Sequence, residues 1–110
     1  MKRTRLGEFQ ELILMAVILL HQEAYGNEIQ RELEKRLDER LSVGAIQTAL
    51  KRMEEKGFLT SSWGEATPKR GGKRKRFYVA TPYAHRMLDD IKAIRRGMWD
   101  SIAELKPGQA

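Results

Sequence analysis

Ten residues of this chain cannot be packed into any core. Between Pro68 and Phe77 the sequence reads PKRGGKRKRF, with Lys69, Arg70, Lys73, Arg74, Lys75 and Arg76 around the Gly71–Gly72 pair and no acid. Six like charges so close together repel one another, so the segment stays extended at the surface unless a partner neutralises it. The core must therefore come from the residues on either side. The strand formers that flank the segment, Phe58 to Trp63 and Lys75 to Ala80, read as a β-hairpin with a long basic tip. The chain carries 21 Lys and Arg against 15 Asp and Glu, a net charge of +6. All of that excess sits in these ten residues, and the remainder balances. Charge concentrated in one loop points to a polyanion, nucleic acid first and an anionic membrane second.

With 110 residues the chain is one domain, able to bury a modest core alone or a larger one as a dimer. It has no cysteine, which excludes disulfides, thiolate metal sites and a cysteine nucleophile. Its two histidines, His21 and His85, stand in no ligand motif, and no metal or cofactor is expected. The longest apolar run, Leu12 to Leu20, falls far short of the ~20 residues of a membrane span. It also lacks the flanks and cleavage site of a signal peptide, so the expected compartment is the cytoplasm.

Four helices are expected. The first covers Glu8 to His21 and is apolar nearly all round, which predicts a central helix covered on most sides. The second runs from Tyr25 to Arg40, with an apolar stripe of Tyr25, Ile29, Leu33 and Leu37. After about three residues Ser42 caps a third, Val43 to Lys56, which Gly57 ends. Thr81–Pro82 is the clearest helix start in the chain, an N-cap followed by proline in the first turn. That fourth helix reaches Leu105, with apolar residues at Ala84, Met87, Leu88, Ile91, Ile94, Met98, Ile102 and Leu105. So long a stripe on so small a domain predicts a partner, most simply a second copy meeting it at Met87, Ile91, Ile94, Met98, Trp99 and Ile102.

Three helices, a hairpin and a helix make a mainly α fold with a β-hairpin wing (α+β), a winged helix-turn-helix. Residues 1–80 form the DNA-binding part and 81–110 the dimerisation helix of the same unit. On the third helix, Ile46, Ala49, Leu50 and Met53 fall on one side at 100° per residue, and Gly44, Gln47, Thr48 and Lys51 on the other, with Arg52 flanking. Gly44 and Ala45 allow close approach to a duplex. Gln47 can bond an adenine edge twice, Thr48 can reach a base or phosphate, and Lys51 and Arg52 suit guanine or phosphate. The acids Glu54 and Glu55 fall in the last turn, away from an inserted N-terminus. The wing cations suit phosphates or the minor groove.

Four segments carry a family resemblance: LGEFQELILMAVI near the start, EAYGNEI at 23–29, LSVGAIQTALKRMEEKGFL at 41–59 and GEATPKRGGKRKRFYVAT at 64–81. In order and spacing they resemble the PadR family of bacterial transcriptional regulators. The resemblance implies a winged-helix domain whose C-terminal helix makes a homodimer, usually a repressor on palindromic double-stranded DNA. It points to the branch with one C-terminal helix. By position, the tyrosine of the YG motif is Tyr25, the recognition segment is Ser42 to Arg52, and the wing is Lys69 to Arg76. Many members have tyrosine where this chain has Gln47, so a tyrosine contact there does not transfer.

Several residues have two readings. Tyr25 either packs in the stripe of the second helix or sends its hydroxyl to a phosphate. Trp99 either packs in a dimer seam or offers a platform to a flat ligand, as a tryptophan does in some drug-sensing relatives; spacing from Thr81–Pro82 puts Arg95 nearer that platform position. Nothing in the sequence indicates a small-molecule effector. A winged-helix interaction subunit with an acidic protein partner is the alternative function, and the groove-compatible face of the third helix argues against it. No carboxylate cluster, histidine pair or nucleophile–base spacing supports an enzyme. A membrane anchor would need an apolar segment beside the basic loop, and there is none.

Overall fold

Why the chain folds as it does is clearest where its elements meet. The computed structural model describes residues 6–64 and 74–109. Helix α1 (Glu8–Leu20) begins behind Gly7, whose N–H donates to Gln10 Oε1 at 3.4 Å. It buries Ile13, Leu14, Ala16 and Val17. Met15 and Leu19, however, are 40% and 59% exposed. The expectation of a helix covered on most sides is thereby corrected. The core takes one side of an almost uniformly apolar helix, and a single chain leaves the other edge bare.

After the 3₁₀ turn His21–Glu23, helix α2 (Gly26–Leu37) is shorter than the pattern predicted. Tyr25 is its N-cap instead of its first turn, and Asp38 ends it in the left-handed region at φ 53° and ψ 44°. Aspartate tolerates that conformation better than most side chains. Two α2 side chains then grip the next turn: Glu34 Oε2 accepts from the Leu41 N–H at 2.8 Å, and Gln30 Nε2 donates to the Leu41 carbonyl at 2.9 Å. The connection to α3 (Val43–Glu55) therefore spans 38–42, five residues instead of three. Ser42 caps α3, its Oγ accepting from the Ala45 N–H at 3.2 Å. Gly57 at φ 83° turns the chain out of the helix, a conformation in which a side chain is strained.

Strands β1 (Leu59–Trp63) and β2 (Arg76–Ala80) pair antiparallel, from Leu59 opposite Ala80 to Trp63 opposite Arg76. The entry to α2 lies along the free side of β2. The Tyr78 N–H donates to the Ala24 carbonyl at 3.0 Å, and Tyr25 bridges Phe77. Thr81 then joins four segments. Its N–H donates to the Phe58 carbonyl at 3.0 Å, its hydroxyl to the Gly57 carbonyl at 2.7 Å, and its Oγ1 accepts from the Ala84 N–H at 3.2 Å.

Helix α4 (Pro82–Ala103) follows at once. At 1.5 Å per residue it is about 33 Å long, and only Ala84 and Met87 of it are buried. Its outer half projects, so the molecule measures 60 × 33 × 21 Å with a radius of gyration of 16.9 Å, against about 13 Å for a compact domain of 100 residues. The core lies between α1, α2, α3 and the hairpin, with Phe58 fully buried and stacked on Tyr83 at 5.0 Å. Phe58→Ala should lower stability by about 3–5 kcal/mol, read as a lower midpoint in urea at unchanged slope.

Candidate nucleic-acid interface

Helix α3 divides as its periodicity requires. Ile46, Ala49, Leu50 and Met53 are buried, whereas Gly44, Ala45, Gln47, Thr48, Lys51 and Arg52 are exposed. Glu54 is drawn back from that face, its Oε2 accepting from the Ser61 hydroxyl of β1 at 2.7 Å. Ser42, named in the sequence as a DNA contact, here spends its hydroxyl oxygen on the cap of α3. The Gln47 side chain leans over the start of α2, its Nε2 2.9 Å from where a Cβ on Gly26 would stand. Glycine at 26 lets the amide lie there.

A cleft opens between that helix start and the base of the hairpin. Tyr25, Gly26, Asn27, Gln47, Trp63, Lys75 and Arg76 line it. Tyr25 packs against the hairpin: its ring meets Phe77 edge-on at 6.2 Å, and its hydroxyl lies beside Gly64. The hairpin is bare of side chain at that point. A Cβ on the buried Gly64 would stand 3.1 Å from Tyr25 Oη and 3.3 Å from the Lys75 carbonyl. Gly64 also donates its N–H to that carbonyl at 2.7 Å and accepts from Arg74 Nε at 3.1 Å. Lys75 is thus placed beside the start of α2 and Gln47 of α3, and Arg74 against Gly64. Lys69, Arg70, Gly71, Gly72 and Lys73 lie outside the described residues.

Sequence reasoning passed over one neighbour. Trp63 and Arg76 face each other across the strands, and Arg76 Cζ sits 5.1 Å from the centre of the Trp63 ring. Arg76 and Tyr78 also line the same two clefts. Burial first, and the Glu54 charge in support, raise the Tyr78 hydroxyl above the usual phenol range against the opposing effect of Arg76. It is therefore neutral at any physiological pH. The register of the two strands, invisible in the sequence, makes the Trp63–Arg76 contact.

On the opposite flank of α3 a second groove runs between Arg52, Lys56 and the start of α1 at Gly7 to Gln10. The reading face of α3 therefore has cations along both edges. Elsewhere, His21 and His85 line one shallow groove over β2. Among the described residues no group of three metal-binding side chains converges, and no helix is long and apolar enough to cross a membrane.

The residues named for a dimer contact divide. Met87 is buried in the chain's own core, which removes it from an outer seam. Ile91 is half-buried. Ile94, Met98, Trp99 and Ile102 are exposed along α4. Arg95 is tied to α1: its Nη2 donates to Glu11 Oε2 at 2.7 Å, and Glu11 is 7% exposed.

A helix-turn-helix with an exposed polar reading helix, cations on both flanks and a following hairpin defines a winged-helix DNA-binding protein. The sequence matches the profile of the transcriptional regulator PadR-like family over residues 13–90, and the chain belongs to that family. Solved structures agree. A PadR-like transcription factor from Bacteroides fragilis superposes with a TM-score of 0.69 at 21% identity, over 89% of each chain. A PadR family transcription regulator from Clostridium difficile R20291 gives 0.65 at 28% identity, over 86% of this chain and 95% of that one. No curated protein sequence matches. The protein is a transcriptional regulator and not an enzyme.

Gly64→Ala should cost about 1–3 kcal/mol through crowding. In a Tyr25→Phe background, where the nearest of the three crowding atoms is gone, the same change should cost less; thermal unfolding of the four proteins measures the difference.

Proposed function

We propose that the chain is a homodimeric repressor that binds a palindromic operator through α3 and the wing. The observation that carries the dimer is the apolar stripe on projecting α4. Ile94, Met98, Trp99 and Ile102 are 48%, 63%, 68% and 45% exposed in a single chain. Soluble monomers rarely leave so long a contiguous apolar surface bare. The exposed Met15 and Leu19 stand one and two turns beyond Glu11 on α1, the residue that Arg95 of α4 grips, and extend the stripe. Two copies joined there make a two-fold pair. Their reading helices meet successive major grooves when about 34 Å apart, which is why the operator is expected to be a palindrome.

Division of labour follows from the chemistry. Gln47, Thr48 and Lys51 face the bases, with Gly44 and Ala45 admitting the duplex edge. Arg52 and the wing cations, from Lys69 through Lys75, take phosphates, and Tyr25 supports the wing base beside them. Phosphate contacts position the protein and base contacts specify the site. Occlusion of promoter DNA needs no contact beyond these, which supports repression. The Glu11–Arg95 pair supports a holding role at the position where drug-sensing relatives keep a ligand platform, with Trp99 a packing residue of the seam.

Ile94→Asp with Met98→Asp should give monomers or insoluble protein by sedimentation; a well-folded dimer overturns this seam. Neutralising Lys73, Arg74 and Lys75 should weaken binding to every sequence and flatten the salt dependence by about 0.9 per lost contact. Gln47→Ala should relax preference at one position per half-site, worth about 1–3 kcal/mol of discrimination, measured by selection from random duplexes.

A further inference from the structure

One cation at the interface is held before any ligand arrives. Arg76 begins β2, directly opposite Trp63. Its guanidinium lies 5.1 Å from the centre of the Trp63 ring. It lines the cleft at the start of α2, with Tyr25, Asn27, Gln47 and Lys75. It also lines the groove on the other side of Gln47, with Thr48 and Lys51. It thus stands at the rim of the reading helix, between the base-facing side chains and the wing. Among the described residues no carboxylate lies within ion-pair distance of it; the ion pairs are Arg31–Glu28, Arg36–Glu32 and Arg95–Glu11. Arg76 and Trp63 are both solvent-exposed, so the cation remains available to an external anion.

A free arginine side chain loses much rotamer freedom when it binds a phosphate. One already laid on an aromatic face loses less, and its planar fork is presented edge-on. Trp63 is large, mostly exposed at 54%, and outside the core. Among the described residues the cation on its ring face is Arg76. Tyr78, on the same side of β2, lines the same cleft and groove as Arg76. Arg74, two residues before it, instead uses its Nε on the Gly64 carbonyl.

We propose that Arg76, laid on Trp63 at the root of the wing, binds one backbone phosphate per half-site and thereby sets the register of α3 on the duplex, with Trp63 as its positioning residue. This rests on the DNA-binding reading and adds to it a fixed point. The contacts of α3 select the bases, and the Trp63-supported guanidinium decides which phosphate the helix is measured from.

The test uses the full chain and a duplex that the unaltered chain selects from a random pool. Phosphate ethylation interference maps which phosphates the protein needs. Arg76→Gln should lose one interfering phosphate per half-site, keep the others, and lower the salt slope by about 0.9 per protomer. Trp63→Leu keeps every charge. It should leave the salt slope unchanged and weaken binding about two- to five-fold, the worth of an exposed cation–π contact, while Trp63→Phe regains most of the loss. Arg76→Lys, which keeps the charge but not the plane, should behave like Trp63→Leu and guards against a folding effect at Trp63. The proposal is overturned if Arg76→Gln retains every interfering phosphate, or if Trp63→Leu and Arg76→Lys both bind like the unaltered chain. An unaltered chain that selects no duplex from the pool would overturn the DNA-binding reading itself, a different failure.

Discussion

The hydrogen bonds of Thr81 are the contact on which the arrangement turns. One residue closes the hairpin, receives the end of α3 and starts α4. Its N–H and hydroxyl reach the Phe58 and Gly57 carbonyls, and its Oγ1 caps the new helix. These polar bonds sit against the fully buried Phe58 and its stack on Tyr83. The Oγ1 contacts to Phe58 and Ala84 are part-buried and the one to Gly57 is exposed; together they span the junction. Because α4 leaves from this junction, its direction is fixed relative to α3. The helix with the exposed polar face and the helix with the apolar stripe are thereby held at one angle.

The wing root shows how function is built from backbone as much as from side chains. Ala24 and Tyr25 lie along β2, and Gly64 leaves room for the Tyr25 hydroxyl. Gly26 does the same for Gln47. Two glycines therefore let three elements approach within one side chain of each other. The reading amide, the YG motif and the base of the basic loop form one packed unit, which ties the placement of the wing to that of α3.

What could be read in the sequence was local. The split of α3 into buried Ile46, Ala49, Leu50 and Met53 and exposed Gln47, Thr48 and Lys51 follows from a period of 3.6, and the Thr81–Pro82 start from cap chemistry. The early end of α2 at Asp38 was not legible, because it depends on Glu34 and Gln30 gripping Leu41 across the turn. The Trp63–Arg76 pair needs the strand register, and the Tyr25–Gly64 contact needs the hairpin folded onto α2. Met87 lies in the same helical stripe as the exposed Ile94, Met98 and Ile102, and periodicity cannot say where the chain's own core gives way to an open face. Glu11 had a faint signal: a carboxylate at the head of an apolar run, with no local partner.

That carboxylate has an evolutionary consequence. Glu11 and Arg95 sit near opposite ends of the chain, yet each determines what the other is free to become. Losing Arg95 alone strands a buried charge, whereas exchanging both for apolar residues of similar volume is often neutral. The two positions should therefore drift together or not at all among close relatives.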